Sequence, residues 1–152
     1  ALEWSEWIPF DQAAEEAPVL PGVYVFRERG DEQNPPRYIG QAGERNGKGL
    51  RGRLKLYSSG KGATSGLGRY AMNLALADAA WLTQLAHEAE SGRPESVEHM
   101  ARRAIDRLNL AVRWVPCVHR KAAMLLEAEL VKRHCSTLWN SPGEEDQDSP
   151  EK

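Results

Sequence analysis

The sequence has few cysteines and no long apolar run, and each of these absences excludes a class of protein. Its 152 residues include two cysteines, Cys117 and Cys135, with no CxxC or Cys/His spacing, so we do not expect a structural zinc site. No apolar run approaches the roughly 20 residues that a membrane-spanning helix requires. The first residues carry neither the basic nor the apolar region of a secretory signal. We therefore expect a cytoplasmic protein with reduced cysteines and no membrane partner.

The chain also has little net charge, −2, which taken alone argues against a nucleic-acid-binding protein. The distribution is uneven, because residues 37–70 hold eight Lys/Arg against one acid, whereas residues 1–20 hold five acids and no base. A concentrated positive segment can bind phosphates although the whole chain is near neutral. The alternative is a solvated loop and helix face. The DNA contacts predicted for this segment are Arg37, Gln41, Arg45, Lys48, Arg51, Lys55, Lys61 and Arg69.

The apolar pattern predicts one α/β (α+β) domain, with a small, mostly antiparallel three-stranded sheet flanked by helices. Strands are predicted at 22–27, 37–42 and 109–115, and helices from about 50, from about 68 to 90, after Pro94, and over 120–134. The first two strands should be antiparallel, since nine residues are too few for a crossover. This division gives a lead-in at 1–21 interrupted by prolines, a domain at 22–140 with a helical insertion at about 60–107, and an acidic disordered tail at 141–152.

Five short motifs follow one another in order along this domain. They are Gly22-Val23-Tyr24, Tyr38-Ile39-Gly40, Leu50-x-x-Arg53-Leu54-x-x-Tyr57, Leu125-Leu126-Glu127 and Trp139-Asn140. Each tripeptide alone is a weak signal, because glycine beside aromatic and β-branched residues is common in strands. In this order, and on these secondary structures, they resemble the GIY-YIG nuclease family across roughly residues 22–140. The helical insertion and the Leu-Trp-Asn ending look most like the Type II restriction endonucleases of that family.

The resemblance implies an endonuclease that hydrolyses DNA phosphodiester bonds with one Mg²⁺ or Mn²⁺ per active site. Tyr24 and Tyr38 would be the strand tyrosines, one of them acting as or supporting the general base. Arg53 would stabilise the phosphate, Tyr57 would be its companion one turn on, Glu127 would bind the metal, and Asn140 would be the late asparagine. Double-stranded DNA is favoured over single-stranded DNA. One site cuts one strand, so cutting both would need a homodimer or two sequential events. A homodimer or an additional DNA-binding subunit is the expected protein partner.

The residues themselves support this chemistry to different degrees. Glu127 falls near the middle of an apolar arc on the last helix, where a carboxylate needs a metal or a paired cation. Arg53 lies at the border of a buried helix face, although a surface cation is the simpler reading. The strand tyrosines could instead be plain core aromatics. The family's lysine, three residues after the second tyrosine, is replaced by Gln41, which leaves open a non-catalytic DNA- or RNA-binding module. A third reading is an RNase-type toxin.

Overall fold

The computed structural model describes residues 2–44, 46, 48–92 and 95–140. Within them the sheet has four strands, in the order β1-β4-β2-β3, and every neighbouring pair is antiparallel. The strands are β1 (Ile8–Pro9), β2 (Gly22–Glu28), β3 (Pro36–Ala42) and β4 (Leu110–Pro116). The predicted α+β class and its three main strands are confirmed. The predicted strand count of three is wrong by the two-residue β1, which is too short to show an alternating pattern.

Six helices accompany this sheet in the part of the chain that is described. They are α1 (Phe10–Glu16), α2 (Gly49–Ser58), α3 (Gly66–Leu76), α4 (Ala79–Ala89), α5 (Val97–Asp106) and α6 (Arg120–His134). The expectation that prolines interrupt the lead-in is wrong for α1. Pro9 occupies the position that precedes this helix and Pro18 follows its end, where proline does not disturb helical hydrogen bonds. The predicted tail at 141–152 lies outside the described residues.

The Ala/Leu-rich region predicted as one helical stretch is two helices, α3 and α4, that separate at Asp78. The Asp78 carboxylate accepts hydrogen bonds from Ala80 N and Trp81 N, which caps the start of α4. The same carboxylate is 2.8 Å from Arg107 Nη2 after α5. The hydrogen bond from Arg107, with help from the backbone amides, holds the pKa of Asp78 below its usual value. Asp78 therefore connects the start of α4 to the end of α5, through its helix cap and its ion pair with Arg107.

Alternate residues of the central strand β2 point into two separate cores. Tyr24 and Phe26 belong to the first, which α1, α2, α3 and α5 cover. Val23 and Val25 belong to the second, which α6 covers. The sheet therefore lies between α6 on one face and the remaining packed helices on the other. No helix among the described residues has the length and apolar character to span a membrane.

Two tryptophans before β1 pack on the α6 face through stacked arginines. The Arg27 guanidinium carbon lies 4.0 Å from the Trp7 ring centre, and that of Arg113 lies 4.4 Å from Trp4 and 4.8 Å from Trp7. Burial and the nearby charge of Arg27 lower the pKa of Arg113. Cation–π contacts of this kind attach the start of the chain to β2 and β4.

The outer edge of β3 is covered by residues 137–140, which follow α6. Thr137 Oγ1 donates to Pro36 O at 2.9 Å, and Trp139 N donates to Arg37 O at 2.6 Å. The side-chain amide of Asn140 donates to Ile39 O at 3.0 Å. This short irregular segment therefore supplies donors to the carbonyl groups of the edge strand.

Candidate active site

The two glycine–tyrosine tripeptides form a single packed unit at the centre of the sheet. The register pairs Tyr24 with Gly40, and a β-carbon at Gly40 would clash with the Oη, Cζ and Cε2 atoms of Tyr24. The phenol ring of Tyr24 therefore lies directly over Gly40. Gly22 has a comparable restriction, because a β-carbon there would clash with Val115 O and Leu50 Cδ1. Neither position has room for a side chain, because neighbouring atoms already occupy the place of a β-carbon.

Tyr57 of α2 meets the phenol of Tyr24. Their hydroxyl oxygens are 2.9 Å apart, and either can be the donor. The rings are edge-on at 6.1 Å, and both side chains are fully buried. Tyr57 Oη also accepts a hydrogen bond from the Leu67 amide at 3.3 Å. The first turn of α3 is thus connected through Tyr57 to the strand tyrosine.

Tyr38 packs beside this pair. Its ring is stacked on Tyr24 with the centres 6.4 Å apart and the planes inclined by 22°. On its other side, the ring of Tyr70 from α3 lies 5.9 Å away. Tyr70 was not predicted from the sequence, where it appears as one aromatic residue in an Ala/Leu-rich helix. The structure therefore brings together the three predicted tyrosines and adds a fourth.

Arg53 lies one turn before Tyr57 on α2 and is only 2% exposed. Its guanidinium carbon is 5.9 Å from the centre of the Tyr57 ring. Burying a guanidinium is costly unless polar or anionic groups surround it, so a surface-cation role for Arg53 is excluded. It lies beside Tyr57 in the structure, and its role at a phosphate stays a prediction.

Glu127 occupies the α6 face that packs on the sheet. It is half-buried, with the buried residues Ala123 one turn before it and Leu130 one turn after it. The apolar arc expected around it is only partly correct, because Met124 is exposed rather than buried. Glu129, two positions on, is exposed and 3.0 Å from Arg133, as an ordinary surface ion pair. Glu127 and Glu129 therefore differ in burial, although they lie on the same helix.

Asn140 and Gln41 each present a buried oxygen near the edge strand. The Asn140 side chain is 8% exposed, and with its amide held by Ile39 O its Oδ1 has no hydrogen-bond partner among the described residues. Gln41 Oε1 likewise has no partner there. Buried acceptors without donors are rare in folded proteins. Both therefore suit contact with a cation, a water molecule or a substrate.

Two oxygen donors of the kind that a divalent cation prefers lie on α6 and in the segment that follows it. Glu127 offers a carboxylate and Asn140 a buried amide oxygen without a protein partner. No group of three or more His, Cys, Asp or Glu that could hold a metal occurs among the described residues. A site with one carboxylate suits Mg²⁺, which keeps several water ligands and binds substrate phosphate directly.

The residues predicted to contact DNA differ in their exposure and in whether they already bond to other parts of the protein. Lys48, Lys55 and Lys61 are exposed, while Arg69 is half-buried with its guanidinium 5.8 Å from the Tyr70 ring centre. Arg37 donates to Glu28 Oε1 at 2.9 Å and to Thr137 O at 3.3 Å, so it also has a structural role. Arg51 is exposed, although its Nε donates to Ala17 O. Arg45 lies outside the described residues.

The contribution of α3 to the site was not foreseen. Its approach depends on a close crossing in the glycine-rich stretch before it, where a β-carbon at Gly68 would clash with Gly62 O. Gly62 in turn lies against the ring of Tyr57. The only sequence signal for this crossing is the density of glycine between residues 60 and 68, which the sequence analysis placed at the start of the insertion.

Comparison with known proteins gives one solved structure that is similar to this chain. It is the GIY-YIG N-terminal endonuclease domain of UvrC from Thermotoga maritima, bound to its catalytic divalent cation, magnesium. The two chains are 21% identical, the match covers 82% of this chain and 89% of the other, and the TM-score is 0.43. No protein-family model matches the chain, and no curated protein does. Residue roles are therefore inferred from the contacts of this chain itself.

Proposed function

We propose that this protein is an endonuclease that hydrolyses DNA phosphodiester bonds with a divalent cation, Mg²⁺ or Mn²⁺. The observation that carries the proposal is the buried cluster of Tyr24, Tyr57 and Arg53. Two phenol oxygens 2.9 Å apart beside a buried guanidinium make a costly arrangement for a core, where apolar packing alone would be more stable. Such groups suit a reaction that moves a proton next to a phosphate.

In this reaction the tyrosines would handle the proton of the attacking water. Tyr24 and Tyr57 share one hydrogen bond, so with one of the pair as its phenolate, the water's proton would go to one oxygen while the shared proton moves to the other. Tyr38, stacked against Tyr24, is the alternative base. A phenol is a weak base at neutral pH.

Arg53 would stabilise the charge that develops on the phosphate, because a guanidinium offers two parallel donors to phosphate oxygens. Glu127 and Asn140 would hold the cation. When bound, the cation polarises the phosphate and offsets its negative charge. The exposed cations of residues 48–61 would position the flanking backbone without reading its sequence.

The proposal is more specific on three points: the substrate is double-stranded DNA, the protein acts as a homodimer, and its role is in restriction or phage defence. They follow from the sequence resemblance and from the need for two cuts. The main alternative is a binding module of the same fold without activity, favoured by Gln41 in place of the family's lysine. An RNase-type toxin is the third candidate.

The test compares wild type with Glu127→Ala and Arg53→Ala on plasmid DNA, single-stranded DNA and RNA, with Mg²⁺, Mn²⁺ or EDTA. Glu129→Ala is the matched control, since Glu129 lies on the same helix and is exposed. We expect nicking of DNA by wild type and the control, and none by the two site variants or in EDTA. Cleavage that survives both EDTA and Glu127→Ala would refute the metal site. DNA binding without cleavage would identify a binding module, and cleavage of RNA alone an RNase.

A further inference from the structure

Three loops meet at one end of the sheet, where α2 and α6 begin. They are residues 17–21 before β2, residues 43, 44, 46 and 48 after β3, and residues 117–119 after β4. Cys117 N donates to Pro21 O at 2.7 Å, which connects the first loop to the third. Arg120 N donates to Glu44 Oε1 at 3.1 Å, which connects the second to the start of α6. We call this region, residues 17–21, 43, 44, 46, 48–51 and 116–121, the loop end.

The start of α2 is fixed against the first of these loops. Gly49 has a positive φ of 48°, and a β-carbon there would clash with the Leu20 backbone. Leu50 N donates to Leu20 O at 2.8 Å, and Arg51 donates from its amide to Pro18 O and from Nε to Ala17 O. The backbone of the loop end is therefore held by hydrogen bonds on several sides.

The exposed side chains at the tips of these loops are apolar. Val118 is 86% exposed, Val19 50% and Leu20 49%. The Cys117–Pro21 hydrogen bond extends the register that pairs Gly22 with Pro116, so Leu20 and Val118 are the next residues along the same two chain segments. These three exposed aliphatic side chains belong to neither hydrophobic core.

Cationic residues lie close to these apolar tips in the sequence of the same loops and helix starts. Lys48, Arg51, Arg120 and Lys121 are all exposed, whereas the described part of the loop end has one acid, Glu44. A charge of this sign favours a polyanion, and it disfavours a second copy of the same surface because like charges would face each other.

The loop end also lies close to the candidate active site. Arg53 follows Gly49 by four residues on α2, a rise of about 6 Å along the helix axis. Glu127 follows Arg120 by seven residues on α6, a rise of about 10 Å. Both side chains are therefore one or two turns from the loop end, within the length of a few nucleotides.

We propose that the loop end is a second part of the DNA interface, in which Val19, Leu20 and Val118 enter a groove of duplex DNA. The cations of the loop end bind phosphates on either side of that groove. Phosphate contacts position a protein on DNA, while aliphatic side chains pack on sugars and base edges and can open a base step. The proposal rests on the proposed function, because it assumes that DNA is the substrate.

The experiment measures the affinity of the full chain for a fluorescent DNA duplex in EDTA, which prevents cleavage, over a series of salt concentrations. Val118→Ser should weaken binding roughly fivefold to tenfold, as expected when one aliphatic side chain is no longer buried against the DNA. It should leave the salt dependence unchanged. Lys121→Ala should instead reduce the slope of log affinity against log salt by about 0.9, the value for one phosphate contact. The matched controls are Val97→Ser, an exposed valine on α5, and Lys132→Ala at the far end of α6, both of which should bind like wild type.

The possible outcomes separate this proposal from the proposed function. Wild type that cuts DNA while Val118→Ser binds as tightly as wild type would overturn the role of the loop end and leave the nuclease proposal intact. A wild-type dimer that Val118→Ser converts to a monomer in sedimentation would make the tips a self-association surface. Loss of binding to anionic phosphatidylserine vesicles, with DNA binding unchanged, would make them a lipid-binding surface. Wild type that neither binds nor cuts nucleic acid would overturn both proposals.

Discussion

An alanine at position 40 should push the Tyr24 phenol away from Tyr57. The added β-carbon would occupy the space of three atoms at the far end of the Tyr24 ring. That ring is fully buried, so it cannot move into solvent without opening the core. Overpacking of this kind costs about 1–3 kcal/mol, and losing the buried hydroxyl pair adds about 1 kcal/mol. We therefore expect Gly40→Ala to lower the free energy of unfolding by about 2–4 kcal/mol.

A double-mutant cycle in urea unfolding isolates the cause. Tyr24→Leu removes the three ring atoms that would clash. In that background Gly40→Ala should stabilise the strand slightly, by about 0.5 kcal/mol, because alanine loses less conformational entropy than glycine on folding. Gly30→Ala is the control: Gly30 has a φ of 108° and nothing within contact distance of an added β-carbon, so its cost should be equal in both backgrounds.

DNA cleavage is then measured at urea concentrations well below the unfolding transition. Gly40→Ala should lose most of its nuclease activity, whereas Gly30→Ala should retain it. The reasoning is refuted if Gly40→Ala has the same unfolding cost with Tyr24 and with leucine at that position. It is also refuted if the alanine variant cleaves DNA at the wild-type rate, since Tyr24 would then not depend on the space at Gly40.

Three further changes probe the site and its support. Tyr57→Phe should destabilise the fold by about 1–2 kcal/mol, because the buried hydrogen bond between the Tyr24 and Tyr57 hydroxyls is lost, and should slow plasmid cleavage roughly a hundredfold; equal cleavage would remove Tyr57 from the proton path. Asn140→Ala should raise the Mg²⁺ concentration needed for half-maximal cleavage, and an unchanged titration would place Asn140 outside the cation site. Asp78→Asn should flatten the acid dependence of stability measured by circular dichroism: the pKa of Asp78 is lowered by Arg107, so its contribution is present at neutral pH and is lost as the pH falls below about 4. An unchanged acid transition would contradict this ion pair.

The parts of the fold that were predictable are those with a local signal. Alternating apolar residues gave β2 and β3, and the α6 bounds agree residue for residue at Arg120–His134. The three tyrosines were found because their motifs are short and ordered in sequence. Arg53 was placed at the border of a buried face and proved to be inside it.

The parts that were missed depend on contacts between distant residues. β1 pairs with β4 from about 100 positions away in sequence, and two residues leave no period to detect. The contact of Tyr70 with Tyr38 requires α3 to cross the glycine-rich stretch, which no helical pattern reports. The break at Asp78 did carry a signal, since aspartate is a preferred residue before a helix, but the surrounding alanines and leucines favoured one continuous helix.

The segment that covers β3 has a consequence for shortened versions of this protein. An uncovered edge strand presents free backbone groups to which a strand of another molecule can add. Residues 137–140 occupy the Pro36, Arg37 and Ile39 carbonyls, so ending the chain before Thr137 would expose that edge and promote aggregation. The same truncation would delete Asn140. Shortening the chain therefore removes the cover of the edge strand and the proposed cation ligand together, whereas substitution of Asn140 alone leaves the Thr137 and Trp139 hydrogen bonds in place.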